Sequence, residues 1–147
     1  MKLEIQQMTS QHVNDCSTLY VNTFSSPPWN ETDLSKQDVQ RYFLHFLNCN
    51  TFLGFVGIMD HEIVAFSAGM KKPWIKGMEY YIDQFCVAYH LQNRGIGSQF
   101  WQYIEKQLPS FGIHGVLLNT ERSFPSYHFY KKHGFQELEG LVLLGKE

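Results

Sequence analysis

Apolar positions along the chain switch between two periods, and the switches lay out the elements. Leu3, Ile5 and Met8 suggest a short opening strand; Thr9 or Ser10 then caps a helix with Val13, Cys16, Leu19, Tyr20 and Phe24 on one face. The helix stops in "SSPPWNETD", because Pro27 and Pro28 cannot continue it. A second helix, capped near Ser35, buries Val39, Tyr42, Phe43, Phe46 and Leu47. "TFLGFVGI" and "EIVAFSAGM" read as strands of a hairpin turning at "MDH", and "KKPWIKGM" reads as a loop. "EYYIDQFCV", rich in aromatic and β-branched residues, is the strongest strand signal in the chain. Helical spacing returns with Phe100, Trp101, Ile104 and Leu108, ending at Pro109. A strand in "GVLLNT", a short helix in "PSYHFYKKH" and a last strand in "FQELEGLVLL" complete the pattern. Interleaved strands and helices predict an α/β or α+β chain with a mixed sheet.

Composition narrows this picture. With 147 residues, 44% of them hydrophobic, the chain can build one core but not comfortably two, so a single domain over residues 1–147 is expected. Twelve basic against 14 acidic residues give no global reason to expect nucleic acid as a partner. Cys16, Cys49 and Cys86 are widely spaced and form no Cys-x-x-Cys pair, which argues against a disulfide framework or a zinc site. Seven scattered histidines, with His128 and His133 five apart, make a poor ligand set, so no metal is expected. Without an apolar signal core or a run approaching about 20 apolar residues, the sequence reads as a soluble, cytoplasmic chain away from membranes.

The chemistry gathers around "HLQNRGIGSQF", between the strongest strand and the helix of Phe100. A helix that begins at glycine presents unpaired backbone N–H groups at the positive end of its dipole, and together these make an anion site. A dinucleotide fingerprint would need glycine where Phe100 stands, and a P-loop would end in Gly-Lys-Ser/Thr. A plainer reading is that Gly95 and Gly97 merely allow a tight turn and close packing.

The combination of segments favours the anion site. Gln92-Asn93-Arg94-Gly95-Ile96-Gly97 resembles the Gln/Arg-x-x-Gly-x-Gly/Ala signature of the GNAT superfamily of acyl-CoA-dependent N-acetyltransferases, and follows a strand ending in Val87. "SFPSYHFYKKHGF", Ser123 to Phe135, resembles that family's second segment, in which Phe-Tyr on a short helix precedes Lys-x-Gly-Phe and a final strand. The resemblance implies a mixed, mostly antiparallel, twisted sheet flanked by helices.

It also implies roles. Backbone amides from Gln92 through Asn93, Arg94, Gly95, Ile96 and Gly97, with Ser98, would cradle the pyrophosphate of acetyl-CoA, while Arg94 either adds charge or points into solvent. The pantetheine arm would run beside Phe85, Cys86 and Val87, and an N–H near Val87 would stabilise the oxyanion formed when an amine attacks. Cys86 reads as a buried apolar thiol rather than a nucleophile, since the family transfers acetyl directly. Tyr130 takes the tyrosine position of the Phe-Tyr pair and would protonate the leaving thiolate; alternatively it is a core aromatic, with Tyr127 a nearby decoy. Ser123 stands where the family often has asparagine contacting the cofactor arm, and Ser126 where alanine is usual.

The amine needs attention too. With a pKa near about 10.4, only about one amine in a few thousand is neutral at pH 7, so a base or a water chain is required. Asp83, placed by alternation on the face of Tyr81, Phe85 and Val87, is the first candidate, with Glu79 and Glu121 as alternatives. In the family the segment after the first helix lines the acceptor site; here it offers Trp29, Glu31 and Asp33, an aromatic wall and negative charge for a cation. Trp74, Tyr80 and Tyr81 would join it, unless these aromatics cover the core edge or make a homodimer contact. The Pro-Pro-Trp-Asn-Glu run is similar to one in bacterial members labelled aminoglycoside-type acetyltransferases. The expected reaction is acetyl transfer to a primary amine of a small molecule, aminoglycoside or polyamine-like. A protein or peptide amine as acceptor, or a non-catalytic acyl-CoA sensor, are the other readings.

Overall fold

A computed structural model describes residues 2–147. The chain runs β1 (Glu4–Gln7), α1 (Val13–Phe24), α2 (Lys36–Leu47), β2 (Phe52–Met59), β3 (Glu62–Trp74), β4 (Gly77–Val87), α3 (Ile96–Gln107), β5 (Ile113–Leu118) and α4 (Pro125–Lys132). Thr9 caps a short 3₁₀ turn ahead of α1, accepting from the Gln11 N–H at 3.3 Å, and Ser35 caps α2, accepting from the Asp38 N–H at 3.3 Å. Asp60 and His61, both at positive φ, form the two-residue turn between β2 and β3, a geometry whose twist matches that of the flanking strands.

The strands form one sheet in sequence order. β1 to β4 are antiparallel and β5 lies parallel to β4, which is the mixed, mostly antiparallel sheet expected. Cross-strand partners share a face. Phe66 and Cys86 therefore point together toward α1 and α2, where Phe66 meets Phe43 and Tyr20. Ser67 and Phe85 point the other way, and Phe85 packs on Phe100 and Trp101 of α3 and Phe129 and Tyr130 of α4. Both faces of the sheet are thus covered by helices. Among the described residues no helix is long and apolar enough to cross a membrane.

Two expectations about elements need correction. "KKPWIKGM" is not a loop: β3 continues to Trp74 and β4 starts at Gly77, leaving a turn of Ile75 and Lys76. "FQELEGLVLL" forms no strand. A turn closes from the Leu141 N–H to the Leu138 carbonyl around Gly140, which lies at φ +83°, and the residues beyond it join no strand among the described residues.

A third feature positions the site. Gln84 faces Ala68 and Ile82 faces Gly69, so Asp83 is an extra residue in β4, a β-bulge that turns its side chain out of the regular alternation. The strands approach closely here: a Cβ on Gly69 would lie 2.3 Å from the Tyr81 carbonyl oxygen.

Candidate active site

β4 and β5 pair only from Met78 to Ile82, after which β4 continues to Val87 while β5 ends at Leu118. The strands part, and a cleft of about 210 Å³ opens between them. Ile82, Asp83, Gln84 and Phe85 line it from β4, and Leu118, Asn119, Thr120 and Glu121 line it from the end of β5 and beyond. Ser126 and Tyr130 of α4 line it as well, together with Phe24, Trp29 and Phe124. Trp29 stands edge-on to both phenylalanines, with ring centroids 5.1 and 6.1 Å away.

The β4 edge of the cleft is an open backbone ladder. The Ala88 N–H bonds to the Val64 carbonyl of β3, so alternation turns the N–H groups of Val87 and Phe85 away from β3 and toward the cleft side. Gln92 fastens the following loop to this edge, its Nε2 donating to the Val87 carbonyl at 3.1 Å. The loop then turns through Asn93 at φ +64° and Gly95 at φ +81°. Gly95 is the N-cap of α3, a left-handed position with open space where a side chain would stand. The first bond of the helix runs from the Gln99 N–H to the Gly95 carbonyl at 3.0 Å, leaving the amides of Ile96, Gly97 and Ser98 free at the positive end of a 12-residue helix. Gly97 serves packing: a Cβ there would come within 3.1 Å of the Phe129 ring and 3.4 Å of Val87. Ser98 and His133 are joined side chain to side chain at 2.8 Å, tying this end of α3 to the end of α4. The plainer reading of the glycines is thus correct for packing and turning, and the free amides coexist with it. Asn93, Arg94 and Gly95 are exposed.

Tyr130 is buried in an aromatic nest of Phe85, Phe129 and Phe135, yet it lines the cleft. Burial, reinforced by the nearby Cys86 thiol, pushes its hydroxyl far above the ordinary tyrosine range. Tyr127 is engaged elsewhere, donating to Glu137 at 3.0 Å, and does not line the cleft. Burial pushes the Cys86 thiol up to about 12, the state of an inert structural cysteine.

Asp83 and Glu121 both line the cleft, and no lysine or arginine lines it with them. Asp83 accepts a hydrogen bond from the Tyr42 hydroxyl of α2, a contact that reading α2 by its periodicity did not anticipate, since Tyr42 looked only like a core residue. Tyr42 itself is pushed far up by burial and by that bond. It also borders a neighbouring hollow of about 260 Å³, lined by Tyr20, Asp33, Leu34, Ser35, Asp38, Val39 and Gln84.

Several predicted residues fall elsewhere. Trp74 is 60% exposed at the distant tip of the β3–β4 hairpin, beside Lys72, so it does not wall the cleft. Tyr80 is fully buried, its hydroxyl bonded to Ser67 and the Leu53 carbonyl. Tyr81 reaches the site indirectly, accepting from Asn119 Nδ2 at 2.6 Å. Glu79 lies further down β4 beside Gly115. Glu31 is exposed and outside the lining, though close enough to Tyr20 to help raise its pKa after the larger effect of burial. Ser123 is exposed and also outside the lining, whereas Ser126 lines it and bonds Thr120 at 2.8 Å. Phe24, Ile82, Gln84, Leu118, Asn119, Thr120 and Phe124 line the cleft without having been singled out, because only the parting of β4 from β5 brings them together.

Compared with known proteins, residues 14–135 match the profile of the Acetyltransferase (GNAT) family. The chain belongs to the GNAT acetyltransferase family. Members of this family generally depend on acyl-CoA. No curated protein sequence matches this chain. Among solved structures, an aminoglycoside acetyltransferase from an uncultured soil metagenomic sample, in complex with sisomicin, superposes with TM-score 0.78 at 17% identity, covering 99% of this chain and 95% of that one. An aminoglycoside N-acetyltransferase in complex with CoA gives 0.77 at 15% identity, with the same coverage. A ribosomal-protein-alanine N-acetyltransferase from Brucella melitensis biovar Abortus gives 0.78 at 12%, covering 99% and 100%. At such identities the likeness establishes the GNAT fold.

Proposed function

We propose that this chain transfers an acetyl group from acetyl-CoA directly to a primary amine of a small cationic molecule, with residues 1–147 acting as one catalytic domain. The observation that carries this reading is the placing of Tyr130, Asp83 and Glu121 around one cleft at the open edge of β4. The aminoglycoside acetyltransferases of the same fold add weight to a polyamine or aminoglycoside-like acceptor.

Free amides at the start of α3, with the exposed Asn93-Arg94-Gly95 turn, fit the pyrophosphate of the coenzyme. The backbone edge at Phe85 and Val87 fits its extended arm, and Ser126 supplies a hydroxyl on the facing wall. When bound, acetyl-CoA supplies the activated acetyl group. The Val87 N–H stabilises negative charge that develops on a carbonyl oxygen. Tyr130 Oη holds its proton throughout the working pH range and gives it to a departing sulfur. Apolar walls that raise the Tyr130 pKa raise the proton affinity of a thiolate as well, so donor and acceptor shift together. Asp83, with one oxygen held by Tyr42, uses the other to attract the ammonium form and to relay its proton to water. Glu121 and Trp29, which line the same cleft, complete a site for positive charge.

One observation bears on a protein or peptide amine as acceptor. Trp74 lies away from the cleft and does not line it, so of the two tryptophans only Trp29 can narrow the approach of a larger substrate. An amine panel that includes peptides separates the two acceptor classes. The cofactor assignment is tested by thermal unfolding with acetyl-CoA, with NADH and ATP as controls. Ligand at 100 times its Kd adds about 2.7 kcal/mol, a rise in Tm of about 5 °C or more for a chain of this size. The expected result is a rise with acetyl-CoA alone; no rise at millimolar acetyl-CoA would remove the assignment.

A further inference from the structure

A hydroxyl stands among the free amides at the start of α3, and it is already engaged. Ser98 follows Ile96 and Gly97 in the first turn, and its own amide is one of those without a helical partner. Its Oγ lies 2.8 Å from His133 Nε2. His133 caps the C-terminus of α4, half-buried, with its ring tilted against Phe129 at 4.7 Å between centroids. The acetyl transfer described above makes no use of His133.

Which of the two side chains gives the proton decides what an anion meets there. A serine hydroxyl has one O–H and otherwise accepts, while the oxygens of an ionised phosphate only accept. If Ser98 donates to the ring, it turns lone pairs toward the anion. If the ring donates to Ser98 Oγ, the hydroxyl proton is free to reach a phosphate oxygen. A bound pyrophosphate therefore selects the ring with a proton on Nε2, and its negative charge favours the imidazolium, which carries a proton on both nitrogens. Without an anion the balance runs the other way. Burial is the largest cause lowering the His133 pKa; Lys132 at the end of α4 lowers it further, and Glu105 of α3 offsets part of this. Lys132 and Glu105 are the charged groups that bear on the ring from the two helices that hold it.

Taking acetyl-CoA as the ligand of these amides, as in the function proposed above, we propose that His133 is a positioning residue for its pyrophosphate. Nε2 donates to Ser98, the Ser98 hydroxyl donates to a phosphate oxygen, and the ring takes up one proton from solvent as the cofactor binds. No bond of the cofactor changes. The ring then holds its proton to higher pH in the complex than in the free protein. Affinity for acetyl-CoA is highest at pH values where the free ring is already protonated, and it falls as pH rises through the titration of the complex.

The test is calorimetric titration of the full chain with acetyl-CoA at about pH 7, in two buffers of different ionisation enthalpy, which counts the protons taken up. Wild type is compared with His133→Gln, which keeps an N–H donor, and with His133→Leu, which has none. The ligand's own terminal phosphate titrates near about pH 6 with all three proteins, so differences between them report the ring. Wild type should take up more protons than either variant. His133→Leu should raise the Kd and the KM for acetyl-CoA about 10-fold at nearly unchanged kcat, and His133→Gln should restore most of that affinity with a weaker dependence on pH. S-acetylpantetheine, which lacks the pyrophosphate, should be turned over alike by wild type and His133→Leu. Equal proton uptake by wild type and His133→Gln, or an unchanged Kd in His133→Leu, would overturn the proposal and leave the cofactor assignment standing. Loss of S-acetylpantetheine turnover in His133→Leu would make His133 a structural residue and overturn it equally. A wild type that does not bind acetyl-CoA would remove the assignment and this role together.

Discussion

At Asp83 two neighbours decide what a carboxylate can do. The bulge in β4 aims it at the cleft, and the Tyr42 hydroxyl holds one of its oxygens from the other side. Replacing Asp83 by Asn keeps the shape but removes the charge and the proton acceptor. Turnover per cationic amine, kcat/KM, should then fall by about 10²-fold, with little change in the Tm rise given by acetyl-CoA. Tyr42→Phe leaves the carboxylate in place but unheld; steady-state kinetics should show a smaller loss, and stability should drop by about 1.5–3 kcal/mol for a hydrogen bond to a charged group. Equal losses in the two variants would mean that Asp83 acts only through its bond to Tyr42. Alternation in the sequence put Asp83 on the face of Phe85, and the bulge in β4 takes it out of that alternation; the Phe-Tyr pair pointed to Tyr130. Tyr42 was legible only as a buried helix position, because nothing in the spacing of α2 tells which strand residue its hydroxyl will meet.

Among the elements, the loop into α3 shows two glycines doing different things. Gly95 supplies a left-handed φ in open space, so Gly95→Ala costs backbone strain of about 1–2 kcal/mol without a clash. Gly97→Ala forces a methyl against Phe129 and Val87, which must give way or displace the start of α3 from the end of β4. We expect Gly97→Ala to raise the KM for acetyl-CoA several-fold while leaving kcat nearly unchanged, as read from initial rates. Loss of kcat with unchanged KM would place the helix start outside the binding site. The order of the elements was largely legible, since helical and strand periods separate cleanly in this chain. Two failures share a cause: strand structure depends on partners. Lys71 to Trp74 extend β3 because they face Tyr80 to Gly77 of β4 across a hairpin, and among the described residues Leu141 to Leu144 have the composition of a strand but no neighbour to complete it.

For the whole molecule, the aromatic core that encloses the cleft also sets its alkaline limit. Burial is the largest cause raising the pKa of Tyr20, Tyr42, Tyr80 and Tyr130, and of the thiols Cys16 and Cys86. Each stays protonated in the fold, whereas unfolded thiols ionise near about pH 8.5 and unfolded phenols near about 10. Above those values the unfolded chain gives up protons that the folded chain keeps, so stability falls as pH rises; below about pH 8 these groups contribute no slope. Melting curves from pH 7 to 11 should therefore show Tm flat from these groups up to about pH 8 and falling beyond it, most steeply above about 10. A Tm that rose between pH 9 and 11 would contradict the burial of these groups.

One reaction at one cleft underlies these roles, and thiol release from acetyl-CoA with a panel of small cationic amines tests it, comparing wild type with Tyr130→Phe. The prediction is amine-dependent release by wild type, and a kcat lower by about 10²-fold or more in the variant at a similar KM for acetyl-CoA. Turnover by Tyr130→Phe at the wild-type rate would take the proton donor out of the mechanism, and no amine-dependent release from wild type with any member of the panel would contradict acetyl transfer to a small cationic amine.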